Sequence, residues 1–279
     1  MNGTPLVSVY LPTHNRSGLV ARAVRSVLTQ TYDRFELLVV DDGSSDDTPR
    51  VVEGFLNDPR VRTFRMEAPG GACRARNHAI REAQGELITG IDDDDEFAAN
   101  RLEQLVREFD PHRGSFVYSD LMTVTKRSRY RVRFPNRVEL DSILYRNVVG
   151  SQVLTVTERL RRVDGFDESL EAMQDYDTWL RLVERFGPAY KASGATYLQH
   201  VEHESDRISV SPRVRHAAYH VYWKHHHLMK RRHREYRLYR MSRLFGRTLP
   251  FRRFAAMAGM VHPLADYKGY ILQRSEEHT

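Results

Sequence analysis

Four consecutive aspartates, Asp92 to Asp95, follow the apolar run Leu87-Ile88-Thr89-Gly90-Ile91. Adjacent carboxylates repel one another, so clustering them favours the fold only where a cation neutralises them. The apolar run reads as a buried strand, ended by Gly90 and the polar residues after it. Carboxylates at the C-terminal edge of such a strand lie where open α/β sheets bind ligands. As hard oxygen donors they suit Mg²⁺ or Mn²⁺ carrying phosphate oxygens. A solvated acidic turn is the competing reading of the run taken alone.

Other polar segments stand in the same relation to apolar ones. Pro12-Thr13-His14-Asn15-Arg16-Ser17-Gly18 follows the buried-strand pattern of Leu6 to Leu11, and the acidic segment from Asp41 to Pro49 follows Phe35 to Val40. Gly70-Gly71 opens a loop ahead of a helix from about Cys73 to Gln84, which stops at Gly85. Gln174-Asp175-Tyr176-Asp177 begins a helix that runs to Phe186, and His200 and His203 lie around a last strand at 195–201. These residue types supply a general base, anion-steering cations and oxygen ligands.

The elements that must position them alternate. Ser17 is placed to cap a helix whose apolar face carries Leu19, Val20, Ala23, Val24, Val27 and Leu28. Thr48-Pro49 fits a cap followed by proline at the first helical position, with that helix continuing to Asn57. Val61 to Arg65 is a weaker strand. Strands alternating with helices predict an α/β chain with a parallel, doubly wound sheet and its polar loops along one edge. Arg101 to Phe109 reads as helix, Phe116 to Tyr118 as a short strand, and Lys126 to Val138 as basic and extended.

The chain of 279 residues has 41% apolar and 29% charged residues, enough for a sizeable core under a wet surface. Its one cysteine, Cys73, excludes a disulfide framework and fits a reducing compartment. The N-terminus lacks a secretory pattern, and no run of 18 apolar residues predicts a membrane-spanning helix. The net charge of +6 is uneven: residues 211–279 hold 15 Lys/Arg against 4 Asp/Glu, the rest 28 against 33. A mildly acidic body therefore carries a strongly basic tail, and the tail is the part that meets anionic surfaces.

Five segments in order now resemble the family 2 glycosyltransferases: VSVYLPTHNR at Val7–Arg16, FELLVVDDGSSDDT at Phe35–Thr48, GGACRARNHAIREAQGE at Gly70–Glu86, IDDDDEF at Ile91–Phe97 and GFDESLEAMQDYDTWLRL at Gly165–Leu182. The resemblance implies the GT-A fold and inversion at the anomeric carbon. It implies a nucleotide-sugar-binding half at 1–100 and an acceptor-binding half at 101–210, and the composition beyond them reads as a basic amphipathic helical tail at 211–279.

By the same resemblance Pro12, His14 and Asp42 hold the nucleotide base, with Asp42 accepting from uracil N3–H, which favours a UDP-hexose. Arg16 is placed to steer the diphosphate, and Arg76 to reach the nucleotide, with Arg74 its competitor. Asp92, Asp93 and Asp94 match the DXD motif: Asp93 faces the ribose, Asp94 ligates Mn²⁺ or Mg²⁺, and Asp92 supports either. His200 or His203 stands where relatives place a histidine against the metal or diphosphate. Asp175 matches the general base, with Asp177 its competitor. Gln174 replaces a common glutamate, which leaves the base with a lower pKa than in a Glu-Asp pair. Trp179 and Leu180 pack beneath the site.

No G-x-G-x-x-G follows a strand and no G-x-x-x-x-G-K-[ST] is present, so dinucleotide and P-loop chemistry are excluded. The processive synthases of the family carry spanning helices and Gln-x-x-Arg-Trp. Both are missing here, which implies one sugar per binding event.

From Lys224 to Arg253 there are 11 Lys/Arg and one acid, interleaved with aromatic and aliphatic residues. That pattern fits helices lying on an anionic membrane. Nucleic-acid binding competes on charge alone, and a helical homo-oligomer interface is the third reading; the resemblance favours the membrane. His225-His226-His227 read as surface residues. The expectation is a cytoplasmic enzyme, peripheral to the inner face of the plasma membrane. It extends a saccharide, undecaprenyl-diphosphate-linked, in surface polysaccharide or O-antigen assembly. A turnover-dead nucleotide-sugar-binding module with a partner-binding tail is the rival class.

Overall fold

The computed structural model describes residues 3–201 and 213–244. Its first half runs β1 (Val7–Thr13), α1 (Val20–Leu28), β2 (Phe35–Asp41), α2 (Thr48–Glu53), β3 (Val61–Arg65), α3 (Ala72–Glu82) and β4 (Leu87–Gly90). Then come β5 (Glu96–Phe97), α4 (Arg101–Glu108), β6 (Val117–Tyr118), β7 (Leu121–Val124), β8 (Arg129–Val132), β9 (Arg137–Val138), α5 (Leu140–Ile143), β10 (Thr155–Val156) and α6 (Thr157–Arg162). The helix α7 (Gln174–Phe186), β11 (Ala189–Lys191), β12 (Tyr197–His200), α8 (Arg213–His225) and α9 (Arg231–Leu244) complete the described chain.

β1 is buried at every position, as an apolar run covered on both faces must be. Side-chain alternation divides it between two cores. Val7, Val9 and Leu11 pack with Val20, Ala23, Val24 and Val27 of α1. Tyr10 packs on the other face with Cys73, Ala75 and Ala79 of α3.

The main sheet has the order β10-β4-β1-β2-β3, with β4, β1, β2 and β3 parallel and β10 antiparallel. The chain winds from β1 outward to β3, then crosses to the other side of β1 for β4. That reversal opens a crevice beyond the carboxyl ends of β1 and β4, the place where open α/β sheets bind ligands. β1 pairs with β4 only as far as Tyr10 opposite Gly90, and with β2 as far as Thr13 opposite Asp41. Asp42 and Asp92 therefore leave the sheet at the same edge, on opposite sides of β1.

Two helix starts differ from the sequence expectation. α1 begins at Val20, because the Arg16 carbonyl accepts from the amides of Leu19 and Val20 and forms a turn first. Ser17 caps nothing; its amide donates to Asp46 Oδ2 at 3.2 Å. Thr48 is the first helical residue rather than the cap, since its hydroxyl accepts from the Arg16 amide at 2.8 Å. α2 ends at Glu53, and turns replace the rest of the expected helix.

The second half interlocks with the first. β10 joins the edge of β4, and β5 pairs with β12. Asn77 of α3 clamps the Gly165-Phe166 turn, donating to the Phe166 carbonyl at 2.8 Å and accepting from its amide at 2.7 Å. α7 matches its expected span, and Trp179 and Leu180 are fully buried.

The tail helices pack on this body. Lys224 of α8 pairs with Asp167 and Asp177. Lys230 and Arg232 pair with Asp141. His225 corrects the reading of the histidine run as surface: it is buried, with Nε2 2.7 Å from Asp177 Oδ1, because a buried carboxylate needs donors around it. His226 is half-buried and His227 exposed. Among the described residues no helix is long and apolar enough to cross a membrane.

Candidate active site

The loop after β2 meets the loop before α3 through one carboxylate. Asp42 is buried and accepts from the amides of Gly70, at 2.8 Å, and Gly71, at 2.6 Å, one on each oxygen. Each oxygen keeps a second lone pair. His14 is exposed, and its Nδ1 lies 2.8 Å from the Asp42 carbonyl oxygen. Pro12 sits in β1 opposite Val40, just past the end of β4.

Each residue of the acidic run has different surroundings. Asp92 Oδ1 accepts from Arg76 Nη2 at 2.9 Å and from Gln152 Nε2 at 3.1 Å. Gln152 is oriented by the Tyr10 hydroxyl, which donates to its Oε1 at 2.9 Å. A Cβ on Gly90 would collide with the Tyr10 ring and crowd Gln152 Oε1, so glycine at the end of β4 is what lets this triad close. Arg76 also lies over the Phe166 ring, 5.2 Å from its centroid. Arg74 is exposed.

Asp93 and Asp94 are half-buried side by side. Burial and the neighbouring Asp94 carboxylate push Asp93 up to about 7, with Arg16 pulling the other way. Asp95 is buried and accepts from the His200 amide at 2.9 Å, so the fourth aspartate holds β12 in place. The His200 ring lies 3.3 Å from Glu96 Oε1. His203 lies outside the described residues. Among the described residues no three His, Cys, Asp or Glu side chains form a ready-made metal cage. The Asp94 carboxylate, a hard oxygen donor, is of the type that fits a divalent Mg²⁺ or Mn²⁺ cation.

α7 presents two carboxylates in its first turn and separates them completely. Met173, left-handed at φ 60°, turns the chain into the helix. Asp175 is half-buried, and its Oδ2 accepts from Asn147 Nδ2 at 3.1 Å. Burial raises it to about 6, while Arg76 and the backbone amides at the helix start act against the rise. Asp177 is wholly buried among Arg181, Lys224 and His225. Burial alone would raise it; the His225 hydrogen bond and the two cations outweigh that and hold it well below the usual carboxylate range.

Asp175, Asp92, Arg76 and Gln152 line one cavity of about 570 Å³. Its far wall is built by the tail, with Val214 and Ala218 of α8 and Arg237, Arg240, Met241 and Leu244 of α9. Of the residues expected at the site, the structure brings Asp92, Arg76 and Asp175 to this cavity. Pro12, His14 and Asp42 form a separate group at the same sheet edge. Sequence reasoning missed Tyr10, Asn147, Gln152, Arg237 and Arg240. The only signal for Asn147 and Gln152 was two amides flanking the otherwise apolar and small Val148 to Ser151.

A parallel sheet with an acidic loop at its switch point, and a separate carboxylate facing that loop across a cavity, define a GT-A glycosyltransferase. The family model "Glycosyl transferase family 2" matches residues 8–165, and the chain belongs to that family. It is 36% identical over 262 residues to the putative colanic acid biosynthesis glycosyl transferase WcaA of Escherichia coli K12, covering 90% of this chain and 92% of that one. It is 32% identical over 179 residues to an Escherichia coli enzyme, UDP-Glc:alpha-D-GlcNAc-diphosphoundecaprenol beta-1,3-glucosyltransferase WfgD, covering 64% and 70%. The Pyrobaculum calidifontis mannosyltransferase PcManGT, solved with GDP-Man and Mn²⁺, shares the fold with TM-score 0.67 at 19% identity, over 98% of this chain and 83% of that one.

Proposed function

We propose that this glycosyltransferase moves one hexose from a UDP-sugar to a lipid-diphosphate-linked saccharide, inverting the anomeric carbon, in bacterial surface polysaccharide assembly. The observation that carries the reading is the separation of the two α7 carboxylates: Asp175 faces the cavity shared with Asp92, and Asp177 is locked in an ion-pair network. The names of the WcaA and WfgD relatives support the pathway class and the lipid-linked acceptor.

In this reading Pro12, His14 and Asp42 hold the uracil, with a remaining lone pair of Asp42 accepting N3–H. Asp92 and Asp93 hold the ribose, and Arg16 and Arg76 steer the diphosphate. Asp175 takes the proton from the acceptor hydroxyl as that oxygen attacks the anomeric carbon. A carboxylate titrating near 6 is ionised at neutral pH yet basic enough to accept that proton. Asp94 holds Mn²⁺ or Mg²⁺, helped by His200 or His203. The bound cation neutralises charge on the departing nucleoside diphosphate. The enzyme works in the cytoplasm, against the inner membrane face, where its tail meets anionic lipid.

The test is a transfer assay with a panel of UDP-hexoses, Mn²⁺ and a synthetic saccharide on a lipid diphosphate. A product with the opposite anomeric configuration to the donor is expected. Retained configuration, or no uridine-nucleotide binding with or without Mn²⁺, overturns the reading.

A further inference from the structure

The cavity that holds Asp175 has a cationic wall that transfer chemistry alone does not require. Arg237, Arg240, Met241 and Leu244 share one face of α9 at helical spacing, and all four line the cavity. Arg146 reaches it from the segment after α5. Arg237 is 4% exposed. Its Nη1 donates to the Tyr176 hydroxyl at 2.8 Å, while its Nη2 is buried with no hydrogen-bond partner among the described residues. Leaving a guanidinium nitrogen unsatisfied is costly, and such exceptions call for an explanation. An anion in the cavity supplies one.

We propose that Arg146, Arg237 and Arg240 form an anion subsite that grips the diphosphate of the acceptor, making the tail part of the acceptor site. The inference rests on the transfer reading above. Arg237 is fixed by the hydroxyl of Tyr176, the residue after Asp175, and lines the same cavity as the proposed base. A saccharide whose hydroxyl meets Asp175 would then extend its diphosphate toward α9. Three guanidiniums suit a multiply charged diphosphate better than a lone carboxylate, because planar forks match phosphate oxygens. Val214, Met241 and Leu244 line the same cavity and offer apolar surface to the first carbons of a lipid chain.

The full-length enzyme is titrated by calorimetry, with saturating UDP and Mn²⁺ filling the donor site. The probes are a short alkyl diphosphate and inorganic diphosphate. Both are expected to bind, the alkyl form more tightly. Arg240→Gln, on the exposed side, should weaken both by about 10-fold or more, as expected for one lost charge-assisted hydrogen bond. Arg237→Lys should do the same, since a lysine cannot serve Tyr176 and an anion with one fork. In transfer assays each variant should raise KM for a lipid-diphosphate saccharide and leave KM for the uncharged alkyl glycoside of that sugar unchanged. Donor hydrolysis without acceptor, and UDP affinity, should stay at wild-type levels. Those two measurements fail together if the transfer reading is wrong. With both present in the wild type, three results overturn the subsite. One is equal kcat/KM for charged and uncharged acceptors in the wild type. Another is equal weakening of both acceptors in Arg240→Gln. The third is loss of UDP affinity in the arginine variants, which assigns these cations to the donor.

Discussion

His225 Nε2 lies 2.7 Å from Asp177 Oδ1 with both side chains buried, joining the tail helix α8 to α7, the helix that carries Asp175. Asp177 also receives Arg181 and Lys224, so one carboxylate gathers two cations and an imidazole. Asp177→Asn should therefore destabilise the protein by about 3 kcal/mol, the cost of breaking a buried ion pair from one side. Its depressed folded pKa fixes the pH dependence. The contribution is complete above the unfolded value of about 4 and is lost as pH falls below it. Urea unfolding of wild type and variant should show a constant gap from roughly pH 5 to 8 that narrows in more acidic buffer. A variant as stable as wild type at neutral pH would remove Asp177 from its anchoring role.

Asp175→Asn should fold normally, bind the donor, and lose about 10²–10⁴-fold in transfer rate, because an amide cannot take the acceptor's proton. The wild-type rate should fall with decreasing pH below about 6, where Asp175 protonates. The residual rate of the variant should show no inflection there. Wild-type-like transfer by Asp175→Asn would move the base elsewhere.

Asn147 positions that base without touching substrate in this reading. Its Nδ2 donates to Asp175 Oδ2, and donation to a carboxylate favours the charged form. Asn147→Ala should shift the acid limb of the rate–pH profile to higher pH, and Asn147→Asp further still through a second negative charge. An unmoved limb with a uniformly lower rate would mean that Asn147 only supports the loop at Gly150.

Much of this was legible in the sequence. β1, β2 and β4 are apolar runs buried at every position, and such runs are visible as composition. α7 was recognisable to the residue because Gly187 ends it and its apolar spacing is regular. The loops were less so. Ser17 and Thr48 looked like helix caps, yet they serve contacts between two loops 30 residues apart in sequence, which local pattern does not encode. Asp175 and Asp177 are chemically identical in the sequence. The resemblance favoured Asp175, and in the structure Arg181 of α7 together with Lys224 and His225 of α8 locks Asp177 away. The basic tail read as a charged surface because charge shows in composition and pairing partners do not. Lys224, Lys230 and Arg232 are each paired with carboxylates on the body of the same chain.

Metal dependence gives a fourth prediction. In the proposed reading Asp94 holds the cation, while Asp95 accepts from the His200 amide and Asp92 from Arg76 and Gln152. Asp94→Ala should lose Mn²⁺-dependent donor affinity while keeping wild-type stability. Calorimetry with excess EDTA should show weak nucleotide-sugar binding that Mn²⁺ restores in the wild type and not in the variant. Full affinity in EDTA would mean a cation-independent donor site.

The tail's own surface gives the last prediction. Tyr219 and Trp223, each 54% exposed, lie edge to face one helical turn apart on α8 with ring centroids 6.0 Å apart. Amphipathic aromatic rings of this kind favour the boundary between water and lipid. Arg231 and Arg234 on α9 are exposed, unlike Arg237. Each basic residue near an anionic surface contributes about 1 kcal/mol before screening, so a few of them together with two aromatic anchors suffice for salt-sensitive docking. Wild-type protein should sediment with vesicles containing anionic lipid, bind neutral vesicles poorly, and be released as salt rises. Trp223→Ser should weaken binding at every salt concentration. Arg231→Gln with Arg234→Gln should weaken it mainly at low salt, since only the electrostatic part is removed. Both variants spare the Asp177 network, so transfer to a short soluble acceptor should be unchanged. Equal binding to neutral and anionic vesicles would reject electrostatic docking. If the same substitutions instead abolish a dimer in sedimentation, this face is where two copies of the chain meet.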